Sequence, residues 1–464
     1  MNLATSLPDT FYRAVAPVAV EHPRLLARND ALAAELGLPE NWFDQPETLA
    51  ALAGNAPFPG QQPVALAYAG HQFGNWVPLL GDGRAHLIAT LETAKGTFEI
   101  QLKGSGPTPF SRNGDGRAAL GPMLREYIVS EAMAGLGIPT TRSLAVIATG
   151  EEVYRRRREP GAIVVRVAKS HVRVGTFQYA AARRDMDALR ALADHELKRS
   201  YVDFPDDDGR FLWLLEQAIA RQAKLVAQWM AVGFIHGVMN TDNMAISGET
   251  IDYGPCAFMD TFHPKKVFSS IDEWGRYAWD QQPAIAQWNL TRFAESLLPL
   301  LNADQDQAIV IAQEALARFS PQFESHFEGL MMAKLGIAGC RDDDGDFIAA
   351  TLKMLMDREL DFTLFFRNLA RGELPADATW QAAWKSRLGG QAADPGLMQR
   401  HNPIYIPRNH QVEAALSEAE AGDLTRFETL CALLKTPFTK QANMAGFEAP
   451  PLPAEEVHAT FCGT

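Results

Sequence analysis

The hydrophobic period changes once along this chain, and that change limits what it can fold into. From Ala65 to Val174 short β-rich runs lie between clusters of glycine, whereas from Gly209 onward apolar residues recur at helical spacing. A strand-rich region followed by a long helical one is an α+β fold. In GTFEIQLKG, Phe98, Ile100 and Leu102 alternate with Glu99, Gln101 and Lys103, and with AHLIATL it reads as a half-buried hairpin. Between the strands, PMLREYIVSEAMAGLG has Pro122 near its start, Gly135 and Gly137 at its end, and Leu124, Ile128 and Ala132 at spacing four. This predicts one helix inserted in a mostly antiparallel sheet. In LWLLEQAIARQAKLVAQWM, Leu215, Ile219, Val226 and Met230 share one face, and Glu216, Arg221, Lys224 and Gln228 the other. Residues 1–65 read as an extension wrapping something else, with a short helix over Asp30 to Leu36 that stops at Gly37. The expected division is an N-terminal extension (1–65), a β-rich nucleotide-binding region (66–175), a helical region with a metal-binding loop (176–275) and a helical C-terminal extension (276–464).

Charge and composition remove several classes of function. With 43 Lys and Arg against 56 Asp and Glu, the net charge is −13, so neither nucleic acid nor an anionic membrane is an expected partner. No window reaches the ~18 consecutive apolar residues of a membrane span. The start, MNLATSLPDTFYRAV, lacks a basic head and an apolar core, which predicts no leader. The four cysteines, Cys256, Cys340, Cys431 and Cys462, are widely spaced without a CxxC, which fits neither a disulfide framework nor a zinc ribbon. A cytoplasmic location is expected.

The segment from His236 to Pro255 carries the clearest chemistry. It reads as a loop, a short strand, a turn at Ser247-Gly248 and a second short strand ending at Ile251. Asn243 and Asp252 offer two hard oxygen ligands of the kind Mg²⁺ uses beside phosphate and water. Asp242 could accept a proton from an attacking hydroxyl; Asp and Asn are also ordinary turn formers. Lys103 at a strand end and Glu126 on the following helix form a pair able to aim an ammonium at phosphate, or else two solvated side chains. Gly81-Asp82-Gly83-Arg84 and Gly114-Asp115-Gly116-Arg117 could expose backbone N–H groups beside a guanidinium, although GDG is equally a hairpin turn. Arg166 and Arg173 interrupt the β-like runs IVVRVAK and HVRVGTF, where a guanidinium is costly unless an anion meets it. The run Arg155 to Arg158 reads as a solvated hairpin tip. RDDDGDF fails the calcium-loop pattern at Phe347 and Lys353 and reads as a solvated loop.

Lysine on a strand, glutamate on the next helix, then a loop Asn and Asp252-Tyr253-Gly254 is the order of parts in protein kinase-like folds. The chain departs from it where His236 is followed by Gly237 and Val238, with no Asp. Over almost its whole length the sequence closely resembles the selenoprotein O (YdiU) family. The matching strings are YAGHQFGNWVPLLGDGRA, QLKGSGPTPFSRNGDGRAALGPMLREYIVSEAM, VVRVAKSHVRVGTF, HGVMNTDNM, DYGPCAFMD and NPIYIPRNH. The resemblance implies a two-lobed kinase-like fold that transfers AMP from ATP to Ser, Thr or Tyr hydroxyls of proteins, with the nucleotide flipped relative to kinases. It implies Asp242 as proton acceptor, and Asn243 and Asp252 as ligands of Mg²⁺, with Mn²⁺ and the use of UTP left open. Nucleotide contacts are implied at Gly81, Gly83, Arg84, Lys103, Asp115, Gly116, Arg166, Arg173 and Asp252, with Glu126 orienting Lys103. Some members also suggest a regulatory disulfide; Cys462 matches its C-terminal half, and Cys256, four residues after Asp252, is the only cysteine in the region of the other half, where VFSSID offers serines. The competing readings are a kinase-like phosphotransferase acting on a small molecule or protein, and a non-catalytic nucleotide-binding scaffold. The intact set Lys103, Glu126, Asn243 and Asp252 speaks against the scaffold.

Overall fold

The computed structural model describes residues 7–155 and 157–461. Seven strands form one antiparallel sheet: β1 (Tyr12–Ala14), β2 (Arg24–Arg28), β3 (Val64–Leu66), β6 (Ala85–Thr93), β7 (Gly96–Lys103), β8 (Arg142–Tyr154) and β9 (Arg158–Ala168). Their order is β1-β3-β6-β7-β9-β8-β2. Two small hairpin-like ladders stand apart from it, β4 (Gly70–Gln72) with β5 (Asn75–Val77) and β10 (Phe234–Ile235) with β11 (Ala257–Phe258). The N-terminal segment does more than wrap: β1 and β2 close the two opposite edges of the sheet, pairing with β3 and β8. An edge so covered is no longer a template for another chain. Helix α1 (Asp30–Glu35) starts where the Asn29 side chain accepts from the Leu32 N–H and ends before Gly37, whose φ of +72° suits glycine.

The period of two in β9 sorts its side chains between two cores. Ile163, Val165 and Val167 join Leu32, Leu36, Trp42 and Leu52 on one face, while Ala162 and Val164 meet Leu124 and Ile128 on the other. Those last two belong to α3 (Leu120–Gly135), the helix expected between the strands. In β7, Ile100 and Leu102 face the first core. The expected half-buried hairpin is corrected here, because Glu99, Gln101 and Lys103 are buried as well. They escape the usual penalty by pairing with His171, with Asp82 and Arg166, and with Glu126 and Asp252, respectively.

After the sheet come α4 (Val174–Ala182), α5 (Met186–Ser200), α6 (Arg210–Ala231) and α7 (Gln282–Leu301), followed by shorter helices. α6 buries Leu215, Ile219, Val226 and Met230, as its sequence pattern dictates. The hairpin expected within residues 244–251 does not form. Their backbone groups pair with distant segments instead: Val174 N donates to Met244 O, Ile246 N to Val172 O, Thr250 N to Pro139 O and Thr141 N to Thr250 O. The strands fall on either side of this stretch, as β10 and β11. HVRVGTF is likewise no strand, since Arg173 precedes α4 and Thr176 Oγ1 accepts from the Arg173 N–H. Nor is RDDDGDF a solvated loop. Asp344 is buried at the start of a helix (Asp344–Asp357), accepts from the Arg341 N–H at 2.7 Å and pairs with Arg387. Among the described residues no helix is long and apolar enough to cross a membrane.

The C-terminal part of the chain returns to the sheet, where Leu416, Leu430 and Leu434 pack in the same core as α3. It is pinned by Arg408 of the NPIYIPRNH string, a buried guanidinium paired with Asp260 and, at 2.8 Å, with Asp361. Breaking a buried pair leaves the partner charge uncompensated, at a cost of about 3–5 kcal/mol. Arg408→Ala is therefore expected to lower unfolding stability by that amount in urea titrations at neutral pH. A loss below about 1 kcal/mol would show that the pin is not holding this junction.

Candidate functional site

A cleft of ≈ 710 Å³ opens between the sheet and the loops that follow α6. Every site residue expected from the sequence lines it: Gly81, Gly83, Arg84, Lys103, Asp115, Gly116, Glu126, Arg166, Arg173, Asp242, Asn243 and Asp252. Lys103 ends β7 and places Nζ 2.7 Å from Glu126 Oε2 and 2.9 Å from Asp252 Oδ1. Arg166 projects from β9 on the same side; its Nε donates to Glu126 at 2.9 Å and its Nη2 to Asp252 at 2.6 Å. Arg173 reaches Asp252 Oδ2 at 3.2 Å and donates to Tyr68 Oη and to the Asp242 carbonyl. Three cations thus converge on one carboxylate. Burial alone would raise the Asp252 pKa, but Arg166, Lys103 and Arg173 hold it well below the usual carboxylate range. Glu126 is lowered in the same way, burial being outweighed by Arg166 and Lys103.

The loop from His236 to Asp252 is fixed by hydrogen bonds that its own side chains make. His236 is buried, its Nε2 bonded to the Ile251 carbonyl at 2.9 Å, which holds the residue before Asp252. Asp252 has φ +64°, a left-handed conformation that Asp tolerates better than most residues. Asn243 ends a short 3₁₀ turn, and its Nδ2 donates to Val238 O at 2.9 Å, which commits the amide nitrogen and leaves Oδ1 as the acceptor. Asn240 Oδ1 accepts from Phe73 N and Tyr277 Oη, and Thr241 Oγ1 from His71 N. These bonds clamp the loop to the β4–β5 hairpin. Asp242 lies between these anchors with its Oδ1 buried and without a hydrogen-bond partner among the described residues. Burial pushes its pKa up to about 6 against the pull of Arg173. Asn243 and Asp252 form an oxygen-only donor pair, and no cluster of three His, Cys, Asp or Glu occurs among the described residues. Two such oxygens suit Mg²⁺, which keeps its remaining positions for phosphate and water.

The two GDG turns are used differently from the expected cradles. The Asp82 N–H is spent on Leu66 O at 2.9 Å, and the carbonyls of Asp82 and Gly83 accept from Thr108 and Ser111. Gly81 is required there, because a Cβ would strike Phe110 at a φ of +116°. Asp115 forms a two-pronged pair with Arg155 at 2.8 and 3.0 Å, and Arg155 itself lines the cleft. The tip expected at Arg155 to Arg158 does join β8 to β9 with Arg157 and Arg158 exposed, and Arg155 departs from it by turning into the cleft; Arg156 lies outside the described residues. Residues 1–6 and Cys462, on which the leader and disulfide readings drew, also lie outside them; Cys256 is fully buried.

Sequence reasoning missed Asp82, Gln101, Tyr68 and Gln72. Asp82 is buried, accepts from Leu66 N and Gln101, and lies 3.8 Å from Arg173. Its pKa is raised by burial, which outweighs Arg173. A signal was available for Gln101, which alternates with Lys103 on one strand face, and for Asp82, flanked by the two glycines already singled out. Nothing in the local pattern marks Tyr68, whose ring lies 4.7 Å from the Arg173 guanidinium, or Gln72, which hydrogen-bonds the Asp242 carboxylate.

Comparison with known proteins places this cleft in a family. The sequence model described as "Protein adenylyltransferase SelO" matches residues 2–435. A relative from Bradyrhizobium sp. (strain ORS 278), named "Protein nucleotidyltransferase YdiU", is 53% identical over 100% of this chain and 98% of its own length. Proteins of the same name from Rhodopseudomonas palustris (strain BisB18) and Methylorubrum extorquens are 51% and 50% identical over the same shares. With the match running through both the sheet and the loops that carry the cleft, the chain belongs to the SelO family of protein adenylyltransferases.

Proposed function

We propose that the cleft binds ATP with its triphosphate against Lys103, Arg166 and Arg173, and that AMP passes from it to a Ser, Thr or Tyr hydroxyl of another protein. The observation that carries this reading is the convergence of those three cations on the inner wall. A cationic wall suits phosphate oxygens and repays a neutral base poorly. In this reading residues 66–175 and 176–275 act as the two lobes of a kinase-like fold, with 1–65 and 276–464 as extensions. The Asn243 amide oxygen and the Asp252 carboxylate would hold a divalent cation, Mg²⁺ or Mn²⁺. Such an ion neutralises charge that develops on phosphate oxygens. The backbone at Gly81, Gly83 and Gly116 and the side chains of Arg84 and Asp115 complete the nucleotide contacts, and Glu126 orients Lys103.

The chemistry then follows from this chain's own groups. The acceptor oxygen bonds to the α-phosphorus as the bond to the β-phosphate bridging oxygen breaks, and pyrophosphate leaves. The hydroxyl proton goes to Asp242, whose raised pKa suits a group that must accept and later release it near neutrality. No competing base stands at the kinase position, because Val238 occupies it.

ATP labelled at the α-phosphorus is expected to mark acceptor protein, and ATP labelled at the γ-phosphorus to leave it unmarked. Stable γ transfer without α transfer would instead make the chain a phosphotransferase.

Asp242→Ala is expected to slow transfer by ~10²–10⁴ while ATP affinity holds, since general-base help is of that size and an anion near phosphate is removed. Wild-type rates in this variant would reduce Asp242 to a turn former. Arg166→Ala and Arg173→Ala are expected to weaken ATP binding, each charge-assisted contact being worth roughly 1.5–3 kcal/mol. The two should separate in a melting experiment. Arg166 also neutralises the buried Glu126, so its loss lowers stability more than loss of Arg173 does. Unchanged ATP affinity in both variants would make the guanidiniums purely structural.

A further inference from the structure

Beside the cleft lies a second cavity of ≈ 340 Å³, lined by Phe73, Ile271, Asp272, Glu273, Trp274, Arg276, Gln281 and Ile285. Phe73 and Ile271 line both cavities, so the two adjoin. Trp274 is 93% exposed, more than any other large apolar side chain among the described residues, and Ile271 is 54% exposed. Leaving such surface in water costs about 25 cal/mol per Å², and exposed apolar patches of this kind mark places where another molecule binds.

The turn that carries Trp274 is built to stay where it is. The Asp272 carboxylate accepts from Arg276 N at 2.9 Å and from Tyr277 N at 2.8 Å, and Gly275 N and Ala278 N continue the turn through the carbonyls of Asp272 and Gly275. Tyr277 Oη in turn donates to Asn240 at 2.6 Å, two residues before Asp242. Platform and proposed proton acceptor therefore share one hydrogen-bonded frame. Arg276 lies over the Trp288 ring at 5.0 Å, and its Nε is buried without a hydrogen-bond partner among the described residues. Its guanidinium has donors to give to a carbonyl.

We propose that this second cavity docks the acceptor protein: an extended segment whose hydroxyl residue enters the main cleft and whose neighbouring bulky apolar side chain fills the pocket between Phe73, Ile271, Trp274 and Ile285. The cavity is at the low end of ligand-pocket volumes, with room for one large side chain. Arg276 holds the segment by a backbone carbonyl, so selection falls on the apolar side chain. The inference rests on the protein-directed transfer proposed above and adds to it a preference for acceptor sequence.

The probes are synthetic peptides with tyrosine as the one hydroxyl residue in an Ala/Gln background, a single Phe being placed in turn at each neighbouring position. With α-labelled ATP at saturation, Phe at one position is expected to lower KM about tenfold, or ~1.4 kcal/mol. Trp274→Ala should abolish that gain while kcat, ATP affinity and melting temperature stay at wild-type values, since this side chain is 93% exposed and lies outside the main cleft. KM independent of Phe position, a gain that survives in the variant, or no transfer to any peptide overturns the pocket. Transfer to denatured casein, measured alongside, tells the failures apart. Label on casein without peptide preference sinks the pocket alone, and no α label on casein sinks the transferase reading and the pocket with it.

Discussion

Asp252 accepts from Lys103 at 2.9 Å and from Arg166 at 2.6 Å, and pairs with Arg173 at 3.2 Å. Removing such ions from water costs several kcal/mol each, and pairing repays that only where the remaining donors and acceptors are also met. Most of them are met here, with Arg173 Nε a buried donor that has no partner among the described residues. Lys103 and Arg166 share Glu126, Arg166 also meets Gln101, and Arg173 meets Tyr68 and the Asp242 carbonyl. The surrounding pairs also fix Asp252 in its left-handed conformation, which costs about 1–2 kcal/mol in an L-residue.

The members of this knot come from separate parts of the chain. β7 and β9 supply Lys103 and Arg166, α3 supplies Glu126, the residue before α4 supplies Arg173, and the loop after α6 supplies Asp252. The interactions that shape the cleft are thus the same ones that join the sheet, α3 and the helical region. A ligand that adds negative charge at Asp252 competes for cations already engaged, so the wall can exchange partners without leaving any guanidinium buried and unpaired. The clamp of Asn240 and Thr241 onto the β4–β5 hairpin keeps the opposite wall in place while that exchange occurs.

What the sequence made legible was local. The period of two in β7 and β9, the amphipathic α6, the bracketed α3 and the short capped α1 follow from side-chain spacing and end signals, and each is present in the structure. Readings that needed a distant partner went wrong. Val172 and Val174 flank Arg173 like a strand, yet their pairing with Met244 and Ile246 is limited to a single antiparallel bridge at Arg173–Ala245, because α4 begins at Val174. The same pairing removes the hairpin expected over 244–251. Glu99, Gln101 and Asp344 look solvated or half-solvated in the local pattern because a sequence does not display His171, Asp82 or Arg387 beside them. The site residues were identifiable as a set through family strings, whereas Asp82 and Tyr68 owe their place to Arg173, a contact no spacing encodes.

Residues 236–243 divide their labour in a way that bears on the proton. His236 is consumed in holding Ile251, the Val238 carbonyl in holding the Asn243 amide, and Asn240 and Thr241 in holding the β4–β5 hairpin. Asp242 is the only acidic residue in this stretch, and it carries a buried oxygen with no hydrogen-bond partner among the described residues. Such an atom costs about 1–3 kcal/mol, and with His236 Nδ1 it is one of two buried side-chain polar atoms in this loop without a partner among the described residues, and the one that lines the cleft. Perturbed, incompletely satisfied groups of this kind concentrate where a substrate supplies the missing partner. A hydroxyl donating to Asp242 Oδ1 would supply it here, and the bond that relieves the carboxylate is the same bond along which the proton would leave the attacking oxygen.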